Sequence, residues 1–342
     1  MAKQDMQKAG GPAQQRLPYF DNIKFVLIVC VVLGHALKFG PTNVYGGARA
    51  LSVFIYSFHM PLFIFLSGLL LNRERMSAQK ARDNVLRFLI LGYVAKLLRT
   101  SVSYVMEGRV RFFLLSEGGL PWYMFAMAAF YGLAWLLRWC DFRLVELASL
   151  ALSLWAGTVP DIGDFLCLSR IIVFFPFFWL GHALSPKYVT SFFAHKGVRV
   201  ACVAVLVAAA YCCYRWSDEL FPYRSLFLGR YGYAACDVEG CTWVTRLLGY
   251  GVSLVMGAAV MGVVPQGRIP VVSTLGSRTL WVYLLHYQVL ELLAYAGLTK
   301  WLTHGPEWHW LVLIPGAFAL ACLLSLPLPA DPLLLVRPKK VE

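Results

Sequence analysis

Three histidines stand inside apolar runs: His35 in DNIKFVLIVCVVLGH, His59 in SFHMPLFIFLSG and His286 in LWVYLLHYQVL. Imidazole takes up and returns a proton near neutral pH, so three of them at comparable depth point to proton shuttling on a weakly acidic group such as a hydroxyl. The ordinary use of a single such histidine is a hydrogen bond to a neighbouring helix. Metal binding is the weaker reading, because no helix supplies an i, i+4 ligand pair, and we expect no metal.

Basic residues accompany the histidines. Lys24 precedes His35 by eleven positions, about 16 Å along a helix. Asp21 stands where it meets Lys24 at i, i+3. Arg87 opens a third apolar segment, with Lys96 and Arg99 deeper in it. Charges in hydrocarbon cost several kcal/mol unless they face protein or water. Lys96 and Arg99 therefore suggest a polar path or an anionic ligand, whereas snorkelling to headgroups explains Arg87. For Arg170, a local ion pair with Asp161 or Asp164 is an adequate account.

Composition sets the elements that carry these residues. The 342 residues are 59% hydrophobic and 14% charged, with a mean hydropathy of +0.63. A soluble domain of this length would carry far more surface charge. The expected fold is an all-α polytopic membrane protein, a bundle of about ten transmembrane helices. The spans are read at roughly 22–39, 50–71, 85–106, 121–139, 144–159, 169–185, 198–215, 245–265, 279–298 and 309–327. With an even count, most lysines and arginines between spans fall on one side, which places both termini in the cytoplasm. That distribution accounts for the net charge of +13 without a nucleic-acid partner. Residues 1–18 read as a disordered cytoplasmic tail, 19–328 as the membrane domain and 329–342 as a second cytoplasmic tail. The first span reads as its own uncleaved signal anchor. The expected location is a cell membrane, plasma or bacterial inner, with the lipid bilayer as a partner. Nine cysteines show no zinc spacing. Cys236 and Cys241, in CDVEGC, either pair on an oxidising side or stay as free thiols.

Taken in order, DNIKFVLIVCVVLGH, FHMPLFIFLSG, LPWYMFAM, SRIIVFFPFFWLGHAL and LWVYLLH resemble the acyltransferase 3 family of membrane O-acyltransferases. Within it they are most like the fucose 4-O-acetylase-like branch, over about residues 19 to 325. The resemblance implies a ten-helix bundle that moves an acyl group, usually acetyl from acetyl-CoA, to a hydroxyl of an extracytoplasmic glycan. Acyl-CoA is then a co-substrate and no cofactor is bound. Many members carry Arg-x10-His in the first helix; Lys24 and His35 keep that spacing and charge without the bidentate fork. Arg87 matches the arginine that opens the third helix of relatives, while Gly92–Tyr93 stands where relatives have Pro-Tyr. Arg170 falls where this branch has an arginine before FFPFF.

Under that resemblance Lys24 and Arg87, with Arg73, Arg75 and Arg82 nearby, are candidates for the CoA phosphates, and Asp21 holds Lys24. His35 is the candidate base or acyl carrier. His59, His286, Ser67 and Trp122 would orient it or donate to the tetrahedral oxyanion; Arg170, Trp122 and Ser67 are the candidate acceptor contacts. Two other classes compete. A proton-coupled transporter of a glycan or small anion would also use intramembrane His, Lys and Arg, though no inverted repeat is visible. An inactive relative kept for interactions would make the histidines dispensable.

Overall fold

The computed structural model describes residues 17–71, 77–108, 110, 112–116 and 119–326, with the side chain of residue 161 left out. Among them every long element is a helix. α1 (Pro18–Leu37) starts on a proline, which gives up no hydrogen bond in a first turn. The next span is broken into α2 (Gly46–Tyr56) and α3 (His59–Leu69). Pro61 causes the break, since it has no N–H for the carbonyl of Ser57. His59 thereby becomes the first residue of α3. α4 (Ala78–Glu107) begins at Ser77, whose hydroxyl accepts from Lys80 N at 3.2 Å. It ends at Gly108 in the left-handed region, φ 67°.

α5 (Trp122–Leu136), α6 (Phe142–Ala156), α7 (Leu168–Ala183) and α8 (Pro186–Phe192) follow. Then come α9 (Lys196–Arg215), α10 (Trp243–Val263), α11 (Pro270–Gly276), α12 (Thr279–Tyr295), α13 (Leu298–His304) and α14 (Leu313–Leu324). α1 is the central element and meets α2, α3, α11, α12 and α14. Asn22, fully buried on it, donates to the carbonyls of Pro265 and Gly267 and accepts from Ser273 Oγ at 2.6 Å. α9 lies outermost, with Val200, Val203 and Val207 exposed as a lipid-facing helix requires.

The expectation of about ten crossing helices is overturned. Five stretches are long and apolar enough to cross a membrane: Pro18–Leu37, Gly46–Leu69, Lys196–Arg215, Trp243–Val263 and Glu307–Leu324. A sixth exists if α7 and α8, bent by 87°, count as one span. The segments expected at 121–139 and 144–159 fold as helices of 15 residues, and that at 279–298 as one of 17. At 1.5 Å per residue these reach about 22–26 Å, short of the ~30 Å hydrocarbon layer. α4 has the length, but Arg87, Lys96 and Arg99 interrupt its apolar run. The sidedness argument rested on the count of ten. Both termini, with Arg73 and Arg75, lie outside the described residues. The chain is all-α and membrane-embedded.

α3 and α7 touch through glycine. A Cβ on Gly68 would overlap the Phe178 carbonyl, and one on Gly181 would overlap the Phe65 carbonyl. Small residues let helix backbones approach in this way. Gly68→Ala should therefore lower the thermal midpoint in detergent and the yield of monodisperse protein. The expected loss is at least the ~1–3 kcal/mol typical of overpacking, because backbone has to move. An unchanged melting curve would mean that the two helices are not in this register.

Candidate active site

The last turn of α1 carries His35, with Lys38 three residues on, and both line a cavity of about 150 Å³. α2 and α3 contribute Tyr56 and His59 on either side of their break, with rings 4.8 Å apart and edge to face. α4 contributes Arg99, α5 Trp122, α7 Arg170 and α12 Tyr287. The Arg170 guanidinium lies 5.0 Å from the Trp122 ring and that of Arg99 lies 5.2 Å from Tyr287. These are cation–π distances. Leu228, from the loop between α9 and α10, also lines the cavity, and its carbonyl accepts from Arg170 Nε at 3.4 Å. Two further bonds hold that loop in place: Ser169 Oγ donates to Gly229 O at 2.8 Å, and Arg246 donates to Tyr231 O at 2.8 Å.

His286 is fully buried behind the cavity, its ring 5.3 Å from that of His35. Its Nδ1 is 2.7 Å from Val282 O, and His59 Nδ1 is 2.8 Å from Ile55 O. A carbonyl only accepts, so in both rings Nδ1 carries the proton and Nε2 keeps a lone pair. His286 Nε2 and His35 Nδ1 are buried and without a hydrogen-bond partner. Two adjacent imidazoles thus each keep a buried nitrogen that no other group takes up.

The residues singled out from sequence fall into two groups. His35, His59, Trp122 and Arg170 converge on the cavity, with His286 against it. Ser67 lies outside, its hydroxyl 3.0 Å from Tyr123 Oη. Lys24 and Asp21 are at the far end of α1 and form an ion pair of 3.7 Å. Asp21 lines a second cavity there, about 320 Å³, with Arg268, Ser273 and Ser277. Arg87 lines neither; it is half-buried, and its Nε has no hydrogen-bond partner. Of the two acids expected beside Arg170, Asp164 is taken by Arg230, which donates to it twice, at 2.9 and 2.5 Å, and the side chain of residue 161 lies outside those described. Cys236 and Cys241 are free thiols. Burial, and Cys236 beside it, push the Cys241 thiol up to about 12.

Sequence reading missed Lys38, Tyr56 and Tyr287. The signal for Lys38 was its i+3 spacing from His35, and for Tyr287 its place beside His286. Lys38 is exposed, but into a recess that protein surrounds on most sides. That enclosure, then the guanidiniums of Arg224, Arg170, Arg230 and Arg99, push its ammonium down to about 8. Among the described residues, no cluster of His, Cys, Asp and Glu is arranged to hold a metal ion.

No curated protein and no solved structure matches the chain. A family does: the acyltransferase domain of the acyltransferase 3 family matches residues 17–328, which take in every helix of the bundle and each wall of the histidine cavity. The protein belongs to that family of acyltransferases and is embedded in the membrane.

Proposed function

We propose that the protein is an O-acetyltransferase of the fucose 4-O-acetylase-like kind, moving acetyl from acetyl-CoA to a glycan hydroxyl at a cell membrane, plasma or bacterial inner. The observation that carries this reading is the meeting of His35, His59 and His286 at one cavity walled by Trp122 and Arg170. A hydroxyl is a poor nucleophile at neutral pH, and a placed imidazole raises the rate by roughly 10²–10⁴. In the proposed step His35 takes the hydroxyl proton as the oxygen attacks the thioester carbonyl carbon. The C–S bond then breaks, the CoA sulfur leaves as thiolate and is protonated, and the acceptor keeps an acetyl ester. His286 packs its ring against that of His35 and so holds the base beside the cavity. Transfer through an acetyl-His35 intermediate uses the same residues and is distinguished by acid-quench trapping of label on the protein.

The donor phosphates are assigned to the Asp21 end of α1, where Arg268 lines the second cavity and Lys24 is paired with Asp21 on its wall. From Lys24 to His35 is about 16 Å of helix, a distance suited to an extended pantetheine arm. Arg87, which lines neither cavity, is left out of the donor site.

With protein in liposomes and radiolabelled acetyl-CoA, transfer to a hydroxylated acceptor should fall at least ~10²-fold in His35→Gln while donor binding persists. Retention of more than about a tenth of the activity would demote His35 to a structural role. Acceptor movement without label would instead favour a transporter.

Arg268→Ala should raise the KM for acetyl-CoA by about tenfold with kcat little changed, as expected when a charge-assisted phosphate contact is lost. Arg87→Ala should leave both constants near wild type. The reverse pattern would move the donor site to α4.

Lys38 offers a test by chemistry. Its amine should become reactive toward acetic anhydride with a midpoint near pH 8, well below the ~10.4 of an ordinary lysine. A midpoint above about 10 would show that the recess described around it does not enclose the amine.

A further inference from the structure

Lys38, Arg99 and Arg170 line the histidine cavity. Two of these cations are held by other elements. Arg170 Nε donates to Leu228 O, and its guanidinium lies over Trp122. Arg99 lies over Tyr287 and shares a chamber with the Glu291 carboxylate. Lys38 differs from both. Among the described residues its ammonium has neither an ion pair nor a hydrogen bond. What Nζ meets is the face of Tyr56, 5.4 Å from the ring centre.

The end of α1 brings this ammonium to His35. Lys38 N–H donates to His35 O at 3.2 Å and Phe39 N–H to Ala36 O at 3.1 Å. Bonds of this i→i+3 kind tighten the last turn towards 3₁₀ geometry, in which side chains three apart eclipse. Gly40, at φ 120°, then turns the chain away from the helix. The cavity measures about 150 Å³, about five water volumes. A thioester carbonyl seated beside His35 is therefore within reach of Lys38 as well.

The charges that act most strongly on Lys38 are the guanidiniums of Arg224 and Arg230, from the loop between α9 and α10, with Arg170 and Arg99. Arg224 lies 5.5 Å from the same Tyr56 ring, and its Nη1 is buried without a hydrogen-bond partner. Two acids of the surrounding loops are already taken, Asp164 by Arg230 and Asp218 by Arg49. The other titratable groups on the walls are His35, Tyr56, His59 and Tyr287. Such a recess favours negative charge beside His35, and acyl transfer generates it there.

We propose, resting on the acetyltransferase reading above, that Lys38 is a further catalytic residue, whose ammonium donates a hydrogen bond to the oxyanion of the tetrahedral intermediate. As the hydroxyl gives its proton to His35, its oxygen bonds the carbonyl carbon. The C=O π pair moves onto the carbonyl oxygen, where Lys38 meets it. When that pair returns, the C–S bond breaks, and the His35 imidazolium protonates the departing thiolate. Lys38 keeps its own proton throughout, so alcohol and acetyl-CoA become acetyl ester and free CoA. An ammonium carries three rotatable donors on a flexible stem, which lets it follow the oxygen as the carbon becomes tetrahedral.

The test uses full-length protein in liposomes, with radiolabelled acetyl-CoA and methyl fucoside as the probe acceptor. Lys38→Met should lower kcat about 10²-fold or more, the usual loss of an oxyanion donor, with KM for both substrates within about twofold. Lys38→Arg keeps the charge and should recover at least about tenfold of that loss. In wild type, kcat/KM should fall as pH rises through about 8, where enclosure and the guanidiniums place loss of the ammonium proton. Lys38→Arg should lack this basic limb, because a guanidinium does not deprotonate in proteins. The acid limb, set by the base His35, should stay in both. A kcat for Lys38→Met within about threefold of wild type, or a raised KM with kcat unchanged, would make Lys38 a ground-state contact and overturn the proposal. So would a basic limb that survives in Lys38→Arg, which decides the matter even if Lys38→Met folds poorly. Transfer by wild type that is lost in His35→Gln upholds the enzymatic reading whatever Lys38 does; if wild type transfers no label, that reading falls and this proposal with it.

Discussion

Hydrocarbon offers no hydrogen-bond partner, so each polar group carried into the bundle has to be satisfied by the protein or by what the protein binds. Most are satisfied internally. Asn22 uses both its donor and acceptor ends on the loop before α11, and this seats the start of α1. Tyr19 donates to Met261 O at 2.7 Å and Tyr250 to Val173 O at 2.6 Å. Arg246, inside a crossing helix, donates to the carbonyls of Ser153 and Tyr231. The open nitrogens of His35 and His286 belong, with Gln288 and Glu291 on the same helix as His286, to a smaller set of buried groups left without a hydrogen-bond partner. An unsatisfied buried group costs about 1–3 kcal/mol, so a pair of them in adjacent rings is hard to account for by stability alone.

The same constraint links the helix breaks to the chemistry. Pro61 deprives Ser57 O of its helical partner, and α2 gives way to α3 at that point. The Ser57 hydroxyl bonds Phe54 O at 2.7 Å beside the break. The break leaves His59 at a helix start with Tyr56 across from it, so one proline in FHMPLF positions two cavity walls. On the opposite wall, Leu166 and Cys167 take left-handed backbone, φ 48° and 57°, immediately before α7. Side chains other than glycine rarely adopt that region, and strain of this kind gathers where geometry is constrained by function. It sets the start of α7 and hence the reach of Arg170 toward Trp122.

Legibility followed the same physics. His35, His59, His286, Lys96 and Arg99 were conspicuous because charged or titratable residues are rare in apolar runs. That convergence needed no coordinates to suspect. Span number was not legible, because hydropathy detects apolar runs and not where a helix stops. Trp122–Leu136 reads as a crossing segment, yet folds as only 15 helical residues before Leu137 leaves the helix. Asp164 illustrates a second limit. Arg170 is the basic residue near it in sequence, but Arg230 returns from a distant loop and takes it. Tertiary partners of that kind have no local signature. Asn22, the anchor of α1, was passed over for the same reason, since its partners lie more than 240 positions away.

Lys96 and Arg99 bring these threads together. On a helix thirty residues long, they are the feature that sets α4 apart from an ordinary apolar span, and they line a charged chamber that adjoins the histidine cavity on one side and an apolar groove between α4 and α5 on the other. A chain selected only to cross the bilayer would place leucine at both positions, because each charge costs ~2.5–3.5 kcal/mol at the centre of a membrane helix on insertion scales. Lys96 offsets part of that cost with the Ser116 carbonyl and the faces of Phe112 and Phe125, and Arg99 with the ring of Tyr287. Arg99 also shares its chamber with the Glu291 carboxylate, which its charge favours. Both charges are thus met by groups from other elements, which ties α4 to the wall of the histidine cavity at the cost of an uninterrupted apolar face.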